Sequence, residues 1–143
     1  MPVYKGWNED SILTTNLIKT VLVIDDDTFQ HQIINDALRD ENYKMISMFN
    51  GESALTLLLR TRPDLILMDI NMPDYNGMEI LQKIKGYKHL DGVPIIMITS
   101  NQSKNMIIES IQKGAVNYIV KPFTRTLMVE KVRAALAIDS SGL

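Results

Sequence analysis

Two apolar runs of this chain end directly in aspartate. Asp25, Asp26 and Asp27 come after Val-Leu-Val-Ile, and Asp69 comes after Leu-Ile-Leu-Met. Carboxylates that gather at one point repel each other unless a cation or a proton relieves them. Mg²⁺ takes oxygen ligands, typically one or two carboxylates together with waters and phosphate oxygens. Asp25, Asp26 and Asp69 therefore indicate a divalent-metal site, whereas Asp27 is expected to cap the helix that follows.

Two further apolar runs end in groups that suit an anion. Thr99-Ser100 follow Pro-Ile-Ile-Met-Ile, and Lys121-Pro122 follow Tyr-Ile-Val, with a cis bond as one option for the Lys-Pro peptide. The hydroxyl of Thr99 can donate to a phosphoryl oxygen, and Lys121 offers a positive charge. An aspartate can attack phosphorus when a metal offsets its charge, so Asp69 is the predicted nucleophile. Ligands bind at the carboxyl ends of parallel strands, so these groups predict one acidic, phosphate-handling pocket.

Short apolar runs alternate with amphipathic segments five times from residue 20 onward. This alternation with short links predicts an α/β fold, with a parallel sheet and right-handed crossover helices. Four runs are nearly continuous in Val, Ile, Leu and Met, as expected for strands covered on both faces, whereas the second is mixed and suits an edge. The predicted strands are Val21–Ile24, Tyr43–Phe49, Leu65–Met68, Val93–Ile98 and Val116–Val120.

Capping residues and apolar periodicity predict a helix after each strand. The expected helix starts, in chain order, are Asp27 or Thr28, Asn50-Gly51, Asn76-Gly77, Ser103 and Thr124, and Gly114 is the expected end of the fourth helix. The apolar residues at helical spacing are Phe29, Ile33, Ile34, Ala37 and Leu38 in the first helix, Ala54, Leu55 and Leu58 in the second, Met78, Leu81 and Ile84 in the third, Ile107, Ile108 and Ile111 in the fourth, and Leu127, Met128, Val132 and Leu136 in the fifth.

The composition narrows the class of protein. A chain of 143 residues fits one domain that can bury its own core, and a net charge of -2 lacks the basic footprint of nucleic-acid binding. No apolar run reaches the roughly 18 residues of a membrane span, and the amino terminus does not match a signal peptide. The absence of cysteine excludes disulfides and zinc-thiolate sites. The predicted organisation is an N-terminal extension (1–19), either a flexible lead-in or a short helix with Ile12, Leu13, Leu17 and Ile18, then one domain (20–138) and a C-terminal tail (139–143).

Four motifs together resemble the receiver domain of bacterial response regulators. They are VLVIDDD, LILMDINMPDYNGME, PIIMITS and GAVNYIVKPF, and the resemblance covers residues 20–138. It implies a flavodoxin-like (βα)5 three-layer sandwich, whose five-stranded parallel sheet has the order 2-1-3-4-5 with helices on both faces. It also implies a cytoplasmic phosphoacceptor module of a two-component phosphorelay. Such a module is not an enzyme beyond its own phosphorylation from a phosphodonor and its own dephosphorylation.

The resemblance also assigns roles to the residues of the pocket. Asp69 is the implied phosphoacceptor, supplied by a sensor histidine kinase or a phosphotransfer protein, with Thr99 and Lys121 on the phosphoryl oxygens. The implied cofactor is Mg²⁺, with Mn²⁺ as a substitute, and its implied ligands are Asp25, Asp26, Asp69 and the backbone carbonyl of Asn71.

The implied switch pairs Thr99 with Tyr118, whose ring turns inward when Thr99 moves toward the phosphate. The face built from the fourth helix, fifth strand and fifth helix would then act on a downstream effector or output domain, or pair as a phosphorylation-dependent homodimer. Direct contact with nucleic acid or membrane is not expected. Asn71 and Asn101 occupy the two positions that resemble the family's tuners of dephosphorylation.

Two alternative functions compete with a receiver. A haloacid-dehalogenase-like phosphatase also forms an aspartyl phosphate, and Asp25 and Asp27 fit its first motif. Phe29 does not fit the next required position, and the chain leaves little room for a cap domain. A pure interaction domain with an inert pocket is the other alternative, which a metal titration would separate from a receiver. His31 and His89 each stand alone in the sequence and are expected on the surface rather than as phosphohistidines.

Overall fold

A parallel sheet of five strands forms the centre of the fold. The computed structural model describes residues 18–100 and 104–141, with side chains described as far as residue 137. The strands are β1 (Thr20–Ile24), β2 (Lys44–Met48), β3 (Leu65–Asp69), β4 (Ile95–Ser100) and β5 (Asn117–Lys121). Their order in the sheet is β2-β1-β3-β4-β5, so the predicted order 2-1-3-4-5 and the flavodoxin-like fold are confirmed, with β2 at an edge.

Helices cover both faces of this sheet. The helices are α1 (Thr28–Leu38), α2 (Gly51–Leu58), α3 (Gly77–Lys85), α4 (Lys104–Gln112) and α5 (Arg125–Ser141), and two short 3-10 turns occupy Arg39–Glu41 and Lys88–Leu90. On one face, α1 and α5 pack against alternate strand residues, and α2 and α3 pack on the other face with a side chain from α4. Three layers result, as predicted.

The alternation of side chains along each strand divides the core in two. In β1, Leu22 and Ile24 belong to the cluster under α2 and α3, whereas Val21 and Val23 belong to the cluster under α1 and α5. Because both faces are covered, every residue of β3 is buried, which explains its continuous apolar run. Each buried aliphatic side chain contributes about 1.5–3 kcal/mol, so the strands form a rigid base for the polar groups at their ends.

Side-chain caps define where the helices begin at the carboxyl edge of the sheet. The carboxylate of Asp27 accepts from Phe29 N at 2.9 Å, and the amide oxygens of Asn50 and Asn76 cap α2 and α3 in the same way. The Thr124 hydroxyl oxygen accepts from Leu127 N at 3.1 Å. These predicted helix starts are confirmed. Gly114 lies just beyond α4 with φ at +112°, a conformation that favours glycine.

The apolar face predicted for α1 needs correction. Phe29 was expected on it but is 62% exposed. His31 was expected on the surface but is buried, together with Ile34 and Leu38, at helical spacing of three and four residues. The side chain at position 31 therefore packs inward because its place on the helix matches the buried stripe, although its residue type is polar.

Several predicted boundaries also differ from the structure. Thr99 and Ser100 lie inside β4 rather than after it, because they pair with Val120 and Lys121 of β5. Helix α5 continues to Ser141, so the predicted tail at 139–143 begins within a helix. The proposed extension helix up to residue 17, the cap Ser103 and the tuner position Asn101 lie outside the described residues. In the part of the chain that the structure describes, no helix is both long and apolar enough to cross a membrane.

Candidate functional site

An acidic cluster lies at the carboxyl edge of the sheet. Asp25 follows β1 directly and Asp69 is the last residue of β3, and these two strands are neighbours. Asp25, Asp26 and Asp69 each present a carboxylate oxygen, and these oxygens lie within 4.8 Å of one another. Asp25 and Asp69 are buried, whereas Asp26 is exposed to solvent. The structure thus brings the three predicted carboxylates together.

Lys121 is the cation that accompanies this cluster. Its Nζ lies 3.2 Å from Asp25 Oδ2 and 3.4 Å from Asp69 Oδ2. Lys121 ends β5 and is joined to Pro122 by a cis peptide bond. Burial raises the pKa of Asp69, and the Asp25 charge raises it further, although the ammonium of Lys121 opposes both effects. One ammonium beside three carboxylates leaves the pocket net negative, so it favours a further cation.

Backbone hydrogen bonds hold the end of β1 in place. Asp25 N donates to Met48 O of β2 at 3.1 Å, and Asp27 N donates to Asp25 Oδ1 at 2.9 Å. The Asp25 carboxylate is therefore shared between the turn that starts α1 and the ammonium of Lys121. The sequence Asp-Asp-Asp folds this way because its first residue closes the turn, its third caps the helix, and its second is left free to point outward.

The loop after β3 is closed by its own polar residues. Asn71 and Asn76 form an isolated bridge, and Gly77 N donates to Ile70 O at 2.6 Å. A Cβ atom on Gly77 would lie 2.6 Å from Asp69 O, so the loop can fold back onto the strand end only with glycine there. Asn71 N in turn donates to Asp69 Oδ1 at 3.3 Å, which anchors the carboxylate from the loop side.

A second carboxylate, Asp74, connects this loop to α2. Its oxygens accept from Gly51 N and Glu52 N, both at 3.2 Å, and from Tyr75 N at 3.0 Å. Partial burial would raise the pKa of Asp74, but these backbone N–H groups outweigh it and hold the pKa below its usual range. The loop that carries Asn71 is thus fastened at its far side to a helix N-terminus.

Thr99 and Tyr118 lie on β4 and β5, beyond the acidic cluster. Thr99 is buried, and its hydroxyl donates to the backbone carbonyl of Ser100 at 2.9 Å. Tyr118 is half-buried and lines a groove of about 460 Å³ against Ile107, Ile108 and Ile111 of α4. The ammonium of Lys131 lies 4.5 Å from the centre of the Tyr118 ring, on the α5 side.

The donor set fits a hard divalent cation. Three carboxylates at one point, two of them buried and only one ammonium beside them, match the oxygen ligands that Mg²⁺ takes with its waters. A buried carboxylate, a lysine and a buried hydroxyl at the same edge of the sheet are groups that a phosphoryl-transfer site can use.

A family model described as response regulator receiver domain matches residues 21–133. The chain belongs to this family. The receiver domain and its two-component signalling function, which the motifs implied, are thereby confirmed, and the phosphatase alternative is set aside.

Known relatives of this receiver domain differ in length. It is 34% identical over 116 residues to the DNA-binding response regulator MtrA of Mycobacterium tuberculosis, an alignment that covers 81% of the chain and 50% of MtrA. The chain therefore spans about half the length of such relatives. It is 33% identical over 124 residues to the chemotaxis protein CheY-3 of Vibrio cholerae, covering 86% of the chain and 94% of CheY-3. The structure of chemotaxis response regulator CheY4 of Vibrio cholerae matches with a TM-score of 0.77 at 27% identity, over 82% of this chain and 98% of that one.

Two residues of this receiver domain's site were not found from the sequence. His31 bonds the backbone carbonyl of Asp25, and Asp74 fastens the Asn71 loop to α2. The helical spacing of His31, Ile34 and Leu38 was a usable signal for the burial of the histidine. No comparable signal exists for Asp74, because its partners Gly51 and Glu52 lie more than 20 residues earlier in the chain.

Proposed function

We propose that this receiver domain accepts a phosphoryl group on Asp69. The observation that carries the proposal is the Asp69 carboxylate itself, which is buried at a strand end beside two further carboxylates and within 3.4 Å of the Lys121 ammonium. A carboxylate oxygen of Asp69 attacks the phosphorus of the donor and forms a new P–O bond. The bond from phosphorus to the donor's leaving atom breaks, and the leaving group keeps its electron pair.

The neighbouring residues divide the work of binding and charge neutralisation. Asp25, Asp26 and Asp69, with the backbone carbonyl of Asn71, are the proposed ligands of Mg²⁺, for which Mn²⁺ can substitute. When bound, the metal offsets the carboxylate charge and the charge on the transferred phosphoryl oxygens. Lys121 lies at the edge of the pocket, where its ammonium can pair with a phosphoryl oxygen. The Thr99 hydroxyl can donate to a second phosphoryl oxygen once its hydrogen bond to the Ser100 carbonyl breaks.

The proposed output surface is the face of α4, β5 and α5. Ile108 and Ile111 of α4 are 54% and 42% exposed, and with Tyr118 they line an apolar groove at this face. The proposed phosphodonor is a sensor histidine kinase or a phosphotransfer protein of the cytoplasm. The proposed recipient of the signal is a downstream effector, an output domain or a second copy of the chain. In this proposal the chain catalyses only the gain and loss of its own phosphoryl group.

The direct test is intact-mass measurement after incubation with Mg²⁺ and acetyl phosphate. We expect one added phosphoryl group that is lost in base, no addition without Mg²⁺, and no addition to Asp69→Asn. The matched control is Asp27→Asn, which changes the same charge at the same edge of the sheet but lies outside the acidic cluster, and asparagine still caps α1. Stoichiometric labelling of Asp69→Asn would place the phosphoacceptor elsewhere and overturn the proposal.

A further inference from the structure

His31 is a buried histidine with both ring nitrogens bonded. Only 3% of its surface is exposed, Nε2 lies 2.7 Å from Asp25 O, and Nδ1 lies 3.0 Å from Ser47 Oγ. A carbonyl oxygen can only accept, so Nε2 carries a proton and donates it to Asp25. In the neutral ring Nδ1 then accepts from the hydroxyl of Ser47, which gives the imidazole one defined tautomer.

The carbonyl that His31 bonds belongs to the peptide joining Asp25 to Asp26. Because a peptide unit is planar, the direction of this carbonyl also sets the direction in which Asp26 leaves the strand end. Asp25 N is held separately by Met48 O at 3.1 Å. Among the described residues, no hydrogen bond or ion pair holds the Asp26 side chain. The orientation of this one peptide therefore sets the position of the Asp26 Cα, from which the exposed carboxylate reaches the acidic cluster.

The imidazole is itself fixed from two sides by β2 and the residue that follows it. Ser47 belongs to β2, and the ring of Phe49 lies 4.4 Å from the imidazole centre at a tilt of 48°. His31 thus connects α1, the end of β1 and the end of the edge strand through a single ring. Because the ring is restrained at both nitrogens and on one face, its hydrogen bond can fix the orientation of the peptide as well as pair the carbonyl oxygen.

We infer that His31 is a positioning residue for the metal site: its Nε2–H group orients the Asp25–Asp26 peptide so that both carboxylates meet Asp69. This inference rests on the proposed function, because it assigns His31 a part in the same Mg²⁺ site. His31 touches neither metal nor phosphoryl group and acts only through Asp25. Residues that orient metal ligands in this indirect way typically change metal affinity by about 10- to 100-fold when they are replaced.

The test is the affinity of the full chain for Mg²⁺, measured by calorimetry without any phosphodonor. We expect His31→Leu to weaken binding about tenfold and His31→Gln, which keeps an N–H donor, to recover most of the loss. Ser47→Ala removes only the bond to Nδ1 and is expected to weaken binding less. The matched control is His89→Leu: His89 Nε2 also lies 2.6 Å from a backbone carbonyl, that of Leu58, but at the end of α2 away from the carboxyl edge of the sheet.

Thermal stability measured in parallel separates positioning from a general loss of structure. His31→Leu and His89→Leu are both expected to melt earlier than the wild type, but only His31→Leu should lose Mg²⁺ affinity. An unchanged Mg²⁺ affinity in His31→Leu would overturn the inference but not the proposed function. If His31→Leu does not fold, an unchanged Mg²⁺ affinity in Ser47→Ala would overturn the inference in the same way. A wild-type chain that binds no Mg²⁺ would overturn the proposed function and this inference with it.

Discussion

Asp69 is buried, and it carries the negative charge that the proposed reaction requires. Burial raises its pKa, so at acidic pH the folded state keeps a proton that the unfolded state has already lost. Stability from this group is complete below the ordinary pKa of 3.8 and is lost as pH rises through the higher folded value. The ionised carboxylate at neutral pH is therefore a cost to the fold, and a bound cation relieves that cost.

The first prediction concerns this pH dependence. Replacing Asp69 with asparagine should raise the free energy of unfolding of the metal-free chain at neutral pH, and much less at mildly acidic pH, because the neutral amide has no charge to desolvate. Urea unfolding at both pH values measures the difference. Asp27→Asn serves as the control and should lack this pattern. An equal effect of Asp69→Asn at both pH values would contradict the assignment of the pKa shift to burial of the charge.

A second prediction concerns the repulsion within the acidic cluster. One carboxylate oxygen of Asp26 lies within 4.8 Å of an oxygen of Asp25 and of Asp69, and two unit charges at that separation repel by about 1 kcal/mol in water. Asp26→Asn should therefore stabilise the metal-free chain by about that amount, or a few degrees in Tm, and reduce the rise in Tm that Mg²⁺ produces. Melting curves with and without millimolar Mg²⁺ measure both effects. Asp36→Asn, an exposed change on α1, should leave the Mg²⁺ effect intact.

The acidic residues and Lys121 could be found from the sequence because each lies at or just after the end of an apolar run. Parallel strands bring such positions together whatever the details of packing. His31 could not be placed by type, because a histidine is buried only where partners exist for both nitrogens. Here those partners are Asp25 O, six residues away, and Ser47 Oγ, sixteen residues away. The sequence shows the helical spacing of His31, but it does not show that the Ser47 hydroxyl lies close enough to make the burial of the histidine favourable.

Strand ends were predicted to within two residues, and the differences follow from pairing. Ser100 extends β4 because it faces Lys121 across the ladder, a partner that no local pattern reveals. The edge position of β2 was predictable because its run mixes polar and apolar residues, in keeping with its half-buried side chains. Helix starts were predicted best, since an Asn or Asp cap bonds a backbone N–H only two or three residues ahead.

The β3–α3 loop and α2 are joined by Asp74, and a third prediction tests this connection. Asp74→Ala should destabilise the chain by about 1 kcal/mol, because backbone N–H groups at the start of α2 lose their acceptor. Amide exchange within residues 70–77 should become faster as well. Asn50→Ala removes a different cap of the same helix and should cost similar stability without changing exchange in the loop. Equal exchange in the two variants would show that Asp74 serves α2 alone.

Helix α4 is the element best suited to respond to phosphorylation. Of its described residues only Ser110 is buried, whereas its isoleucines are half-buried or exposed. A helix with so little buried area opens and shifts at a lower free-energy cost than the strands it covers. Tyr118 lies between α4 and Lys131 of α5, so movement of its ring changes the contacts of both helices.

In the proposed switch, the contact that would differ between the two states is the hydrogen bond of the Thr99 hydroxyl. This hydroxyl now donates to Ser100 O at 2.9 Å, and a phosphoryl group on Asp69 would offer it a charged acceptor, which forms a stronger hydrogen bond. A ligand can shift an equilibrium only by its difference in affinity for the two states, and this bond supplies such a difference. Movement of Thr99 toward Asp69 would leave space into which the Tyr118 ring can turn.

A fourth prediction follows for beryllofluoride, which mimics a phosphoryl group on Asp69. With Mg²⁺ and beryllofluoride, amide exchange should change in residues 104–121 as well as in the loop after Asp69, because α4 and β5 repack around Tyr118. Thr99→Ala should still bind beryllofluoride, through Asp69 and Lys121, but should lose the change in residues 104–121. Thr61→Ala, whose hydroxyl bonds Leu57 O away from the pocket, is the matched control and should behave like the wild type. If amide exchange in the wild-type chain changed only in the Asp69 loop, the pocket would bind the phosphoryl group without passing a signal to α4. The Thr99 hydrogen bond would then form with no effect on the face that carries Tyr118.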